Sequence, residues 1–119
     1  MSKLLVHLTH GPEAPTRAAL AFLAARTAIE EGHEVVLFLA GDGVQVLRKT
    51  VVDSLVGIGT GSLREHVEAI AAAGVPVYAS GMSSKARGLE VGDCALPVEM
   101  APPSRLVHLT FEADRVLTY

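Results

Sequence analysis

Short apolar segments that alternate with helix-forming segments constrain the fold of this 119-residue chain more than any other feature. The runs at residues 4–9, 35–40 and 76–79 are almost uninterrupted, and a further run covers residues 116–118. Continuous apolar runs of this length are typical of strands that are buried on both faces of a parallel sheet. The pattern therefore predicts a mostly parallel sheet with helices on both faces.

Helical patterns occupy the segments between these runs. We expect a three-layer α/β sandwich with about five strands, in which one strand is short and lies near residues 94–96. No internal repeat, low-complexity tract or linker divides the chain, so residues 1–119 are predicted to form a single domain. The predicted helices cover residues 16–31, 62–73, 83–88 and 104–113 and begin at Thr16, Ser62, Ser83 and Ser104.

The charge balance and the apolar segments exclude two classes of partner. Thirteen acidic and ten basic residues give a formal net charge of −3, and no cluster of Lys or Arg offsets it, so nucleic acid is not an expected partner. The longest apolar stretch, residues 18–29, contains Arg26 and is shorter than the ~20 residues of a membrane-spanning helix. We therefore expect a cytoplasmic protein that does not contact a membrane.

The cysteine and histidine content argues against a metal centre or a disulfide framework. The chain has one cysteine, Cys94, and its five histidines show no His-Glu-x-x-His arrangement, so neither a metal nor a cofactor is predicted. His66 and His108 are predicted on polar helix faces. His7 lies inside a strand, where a satisfied core or interface histidine is expected.

Polar residues follow three of the predicted strands, at the edge where parallel α/β proteins bind their ligands. The loops at residues 9–15, 41–43 and 80–84 contribute His10, Asp42 and several serines, and Arg87 lies one helical turn further on. Hydroxyl groups and free N–H groups at a helix start favour an anion. The simpler alternative is that Ser83 only caps a helix while Lys85 and Arg87 are solvated.

These loops carry a resemblance that extends over the whole chain. The sequence resembles the DsrE/DsrF-like family, also called the YchN-like fold. The resembling segments are LTHGP at residues 8–12, FLAGDG at 38–43, GVPVY at 74–78, SGMSSKARG at 80–88 and EADRVL at 112–117.

The resemblance implies a small parallel α/β domain that assembles as trimers or hexamers. Some members carry sulfur as a persulfide on a cysteine at the end of the third strand, in sulfur relay. Ser80 occupies that position here, and a serine hydroxyl cannot hold a persulfide. The transfer chemistry is therefore not carried over to this loop, whereas the pocket is expected to persist as a site for a small anionic or sulfur-containing ligand. The predicted ligand-binding residues are His10, Gly11, Asp42, Ser80, Gly81, Met82, Ser83, Ser84 and Arg87.

Three roles are compatible with the sequence. The leading one is an oligomeric protein that binds such a ligand or acts as a non-carrier partner in sulfur relay, without catalysis of its own. The alternatives are an enzyme, using Cys94 as a sulfur carrier or Ser80 as a hydrolase nucleophile with His10 as base, and a structural subunit. Asp93 and Glu90 beside Cys94 are expected to raise the pKa of its thiol. Residues 50–58 are the expected interface, with folding over the protein's own sheet edge as the alternative.

Overall fold

The sheet observed in the computed structural model, which describes residues 2–119, confirms the predicted fold class. Five strands lie in the order β4-β3-β2-β1-β5, and every neighbouring pair is parallel. The sheet is therefore entirely parallel over the described residues. The strands are β1 (Lys3–Leu8), β2 (Glu34–Leu39), β3 (Val77–Ser80), β4 (Glu99–Ala101) and β5 (Arg115–Thr118).

Helices cover both faces of this sheet, as the sequence predicts. Helices α1 and α3 pack against each other on one face, together with a 3-10 segment that follows β2, and α5 covers part of the other face. Within residues 2–119, the structure has no helix with the length and hydropathy needed to cross a membrane. The helices are α1 (Pro15–Glu30), α2 (Lys49–Ser54), α3 (Leu63–Ala72), α4 (Gly81–Ala86) and α5 (Pro103–Glu112), and the 3-10 segment is Gly41–Leu47.

The core has two parts because successive strand residues point to opposite faces of the sheet. Leu37 and Leu39 of β2 join the larger part, in which Phe22 of α1 is fully buried. Val36 and Phe38 join the smaller part, beneath α5. Burial on both faces explains why β1 and β2 appear in the sequence as continuous apolar runs.

The starts of α1 and α5 and the position of the fourth strand differ from the sequence-based prediction. Helix α1 begins at Pro15, and the hydroxyl of Thr16 instead accepts a hydrogen bond from the N–H of Ile58 at 3.1 Å. Helix α5 begins at Pro103, not at Ser104. The predicted strand at residues 94–96 is wrong: Cys94 makes only an isolated antiparallel bridge with Arg48, and the fourth strand lies five residues later.

Two histidines also differ from expectation. His66 is buried, not on a polar face: its Nε2 donates to the carbonyl oxygen of Thr60 at 2.7 Å, and its Nδ1 lies 3.3 Å from a guanidinium nitrogen of Arg26. His7 lies in β1, where burial lowers its pKa, and its ring meets that of Phe38 edge-on. Its buried Nε2 has no hydrogen-bond partner among the described residues, so it is not a satisfied core histidine, and the alternative of an interface histidine stays a prediction.

Candidate functional site

The loops after β1 and β2 meet at the carboxyl edge of the sheet with almost no space between their backbones. A Cβ atom on Gly11 would overlap the carbonyl group of Asp42, and one on Gly43 would overlap the carbonyl group of Leu8. Two glycines at these positions therefore allow the loops to pack directly on each other. Gly11, predicted as a ligand-binding residue, uses its own N–H to bind the carboxylate of Glu13.

The start of α4 joins this pair of loops through two serine hydroxyls. The hydroxyl of Ser80 accepts a hydrogen bond from the N–H of Ser83 at 3.2 Å, so Ser80 caps α4 and the helix begins at Gly81. The hydroxyl of Ser83 accepts from the N–H of Gly41 at 2.8 Å. The prediction that Ser83 caps this helix is wrong, and its hydroxyl instead fastens α4 to the loop after β2.

Arg87 is held by an internal partner. Its Nη2 and Nε atoms donate to Oδ1 of Asp42 at 3.0 and 3.2 Å, and its Nη1 donates to the carbonyl oxygen of Ser83 at 3.1 Å. The structure thus brings three of the predicted site residues, Asp42, Ser83 and Arg87, into one hydrogen-bonded cluster. Because Asp42 neutralises Arg87, an anion has to compete with that carboxylate for the guanidinium group.

Other predicted site residues lie apart from this cluster. His10 is partly buried, and its Nδ1 lies 3.4 Å from the hydroxyl of Thr9. Over residues 2–119 no hydrogen bond links His10 to Ser80, so the geometry gives no base for a Ser80 nucleophile. Met82 is exposed, whereas Ser84 is only 2% exposed.

Sequence reasoning missed two residues that organise this edge. Glu13 binds the N–H of Gly11, a contact that its position two residues later in a turn could have suggested. Arg48 donates to the carbonyl oxygen of Arg87 at 2.7 Å and thereby ties the end of α4 to the segment after β2. No sequence pattern indicates the contact of Arg48 with Arg87, because the two residues are 39 positions apart.

A cavity of about 460 Å³ lies beside the cluster of Asp42, Ser83 and Arg87. It is lined by Pro12, Glu13, Asp42, Gln45 and Val51.

Cys94 lies in the core, 7% exposed. Its thiol approaches the carbonyl oxygen of Glu90 at 3.6 Å. Burial raises the pKa of the thiol, Asp93 raises it further, and Arg48 and Lys49 oppose this only in part. Because the thiolate is the reactive form, this environment makes Cys94 a poor nucleophile at neutral pH. No group of three or more potential metal ligands occurs within residues 2–119.

The fold and the loop arrangement define a class of small parallel α/β proteins, and comparison with known proteins identifies the family. The profile of the DsrE/DsrF-like family matches residues 2–119. The chain therefore belongs to the DsrE/DsrF-like family, as its sequence motifs predict.

Two relatives are similar over nearly their whole length. An uncharacterized protein of Methanopyrus kandleri, MK0008, is 34% identical over 116 residues, which cover 98% of this chain and 93% of the relative. An uncharacterized protein of Methanocaldococcus jannaschii, MJ0989, is 33% identical over 117 residues, which cover 98% and 99%.

Two solved structures share the fold. The YchN protein of E. coli superimposes with a TM-score of 0.79 at 24% identity, and MTH1491 of Methanobacterium thermoautotrophicum, a protein of unknown function, with 0.74 at 17% identity. Each alignment covers 100% of both chains.

Proposed function

We propose that this chain acts in sulfur relay as a partner protein that does not itself carry sulfur. The proposed protein is an oligomer, and it binds a small anionic or sulfur-containing ligand at the carboxyl edge of its sheet. The main support is the role of Ser80 as the cap of α4, at the position that the family resemblance assigns to the persulfide cysteine of sulfur-carrying members. The burial of Cys94 and the raised pKa of its thiol support the same conclusion.

Treatment with inorganic polysulfide tests whether the chain carries sulfur. We expect the intact mass of the wild-type protein to remain unchanged at neutral pH, because the thiol of Cys94 stays protonated and buried. Cys94→Ala serves as the matched control. A gain of one sulfur atom that this substitution abolishes would contradict the proposal and support Cys94 as a sulfur carrier.

For the ligand, the Asp42–Arg87 ion pair leads to a second prediction. Asp42→Asn should raise the affinity for thiosulfate, a small sulfur-containing anion, by about tenfold, because it removes the negative charge that competes for Arg87. Arg87→Gln should abolish binding. Calorimetric titration measures both effects.

Asp53→Asn is the control for the general effect of removing a negative charge, since Asp53 pairs with Arg64 outside the site. This variant should bind thiosulfate as the wild type does. Equal affinities for wild type, Asp42→Asn and Arg87→Gln would contradict a thiosulfate-type site at this edge.

Exposed apolar side chains on two separate surfaces support the oligomer. The loop surface contains Val56 and Ile58, which are 77% and 88% exposed. The α5 surface contains Val107 and Phe111, which are 51% and 87% exposed. If the loop surface of one copy contacts the α5 surface of the next, the copies form a closed ring when the rotation between neighbours is a whole fraction of a full turn. A trimer is such a ring, and a hexamer can be built from two trimers. Val52 of the predicted interface segment is instead buried in the core.

Light scattering coupled to size exclusion tests the assembly. We expect the wild type to elute as a trimer or hexamer and both Ile58→Glu and Phe111→Glu to elute as monomers, because each places a charge in an apolar contact. Ala72→Glu, which adds the same charge at an exposed position of α3, should leave the mass unchanged. A monomeric wild-type protein at micromolar concentration would contradict the proposal.

A further inference from the structure

A second cleft, lined by other residues than the cavity beside Asp42, lies between α4 and β4. Its volume is about 450 Å³, within the range of ~300–1,000 Å³ that is typical of small-molecule sites. It contains none of the Asp42, Ser83 and Arg87 cluster. Its walls include Gly81, Ser84, Lys85, Leu89, Val91 and Met100.

The walls of this cleft are mainly apolar, with a positive charge at the rim. Leu89 is buried, and Val91 is 51% exposed. Among residues 2–119 no carboxylate lies within ion-pair distance of the Lys85 ammonium group. The other charged residue of the lining, Glu90, is engaged in a capping box with Asp93. The cleft therefore combines apolar contact area with the ammonium group of Lys85, while the carboxylate of Glu90, which also has no ion-pair partner among the described residues, accepts the backbone N–H of Asp93.

Ser84 adds a buried hydroxyl at the wall of the cleft. The residue is 2% exposed, and its hydroxyl oxygen has no hydrogen-bond partner among the described residues. Its backbone carbonyl, in contrast, accepts hydrogen bonds from the N–H groups of Arg87 and Leu89 at 3.1 and 2.9 Å. Buried hydroxyls are normally hydrogen-bonded, so this group has the capacity to donate to a ligand.

We propose that the cleft between α4 and β4 binds a small organic anion with an apolar body. The anionic group pairs with Lys85, the apolar body packs against Leu89, Val91 and Met100, and Ser84 donates a hydrogen bond to an acceptor on the ligand. The cleft shares Gly81 and Ser84 with the ligand-binding residues predicted from the sequence, but neither Asp42 nor Arg87 lines it, so this proposal does not rest on the thiosulfate site.

Titration with octanoate, followed by amide chemical shifts, tests this proposal. Octanoate should shift the amides of Lys85, Leu89 and Val91 and reach saturation below ~10 mM. Acetate lacks the apolar body and octylammonium has the opposite charge, so neither should bind. Saturable binding of all three probes with equal affinity would overturn the stated ligand class.

Variants separate the contributions of the wall residues. Lys85→Gln and Ser84→Ala should each weaken octanoate binding by about three- to tenfold, and Val91→Asp should abolish it. Val116→Asp is the control, since Val116 is an exposed valine, 41% exposed, on β5 at the opposite edge of the sheet from β4, and it should bind as the wild type does. Ser84→Ala is expected to fold normally, because the lost hydroxyl has no partner among the described residues.

Three results would overturn the proposal: no saturable binding to the wild type, shifts confined to residues outside the cleft, or coverage of Val91 by a second copy of the chain. Asp42→Asn and Arg87→Gln should leave octanoate binding unchanged. Failure of thiosulfate binding and failure of octanoate binding are thus distinguishable outcomes.

Discussion

Ser80→Cys is expected to create a reactive thiol at the carboxyl end of β3, where the wild-type chain has a hydroxyl. Ser80 is partly buried and accepts the N–H of Ser83 at the start of α4. A thiolate in this place would accept the same hydrogen bond, which stabilises the charged form. Iodoacetamide at neutral pH should therefore label the variant at least about tenfold faster than the wild type, in which Cys94 is buried. Polysulfide should then add sulfur to the variant alone.

Two further variants make this result specific to the position. A Cys94→Ala background removes the native thiol, so all labelling comes from residue 80. Ala79→Cys in the same background places a thiol one residue earlier, at a fully buried position, and should stay unlabelled. Equal labelling at both positions would mean that the end of β3 opens freely and that Ser80 is not held as a cap.

The fold was predictable because strand burial leaves a direct signal in the sequence. Strands β1 and β2 are central and covered on both faces, so nearly all their residues are apolar. Strand β4 has three residues and pairs only with β3, and its sequence, EMA, gives no such signal. The apolar residues Cys94 and Leu96 gave a false signal, because they enter the core from a loop.

The candidate site was predictable in location but not in its hydrogen bonds. Parallel strands bring their carboxyl ends to one edge, so the loops at 9–15, 41–43 and 80–84 could be placed together from topology alone. The ion pair between Asp42 and Arg87 joins residues 45 positions apart, and no sequence pattern specifies it. Several serines lie close together at the start of α4, and the sequence alone favours Ser83 as its cap. Strand β3 ends at Ser80 and α4 begins at Gly81, so Ser80, and not Ser83, is the cap.

Gly43→Ala is expected to cause a large loss of stability, about 3 kcal/mol, with a fall in Tm of roughly 10 °C. Gly43 is buried, and an added Cβ would overlap the carbonyl carbon and oxygen of Leu8 at the end of β1. Backbone atoms cannot rotate out of the way as a side chain does, so the loop after β2 has to move. Asp42, the adjacent residue, moves with it, and thiosulfate binding should be lost as well.

Gly92→Ala is the matched control for this substitution. Gly92 also lies in a short 3-10 segment, but an added Cβ would have no other described atom within 4 Å, so its effect on stability should stay within ~0.5 kcal/mol. Chemical denaturation measures both variants on the same scale. Equal free energies of unfolding for the two variants would show that the loops after β1 and β2 can move apart without a loss of stability. The Asp42–Arg87 pair would then rest on a mobile loop, and Asp42→Asn would no longer be expected to raise thiosulfate affinity by freeing a fixed guanidinium group.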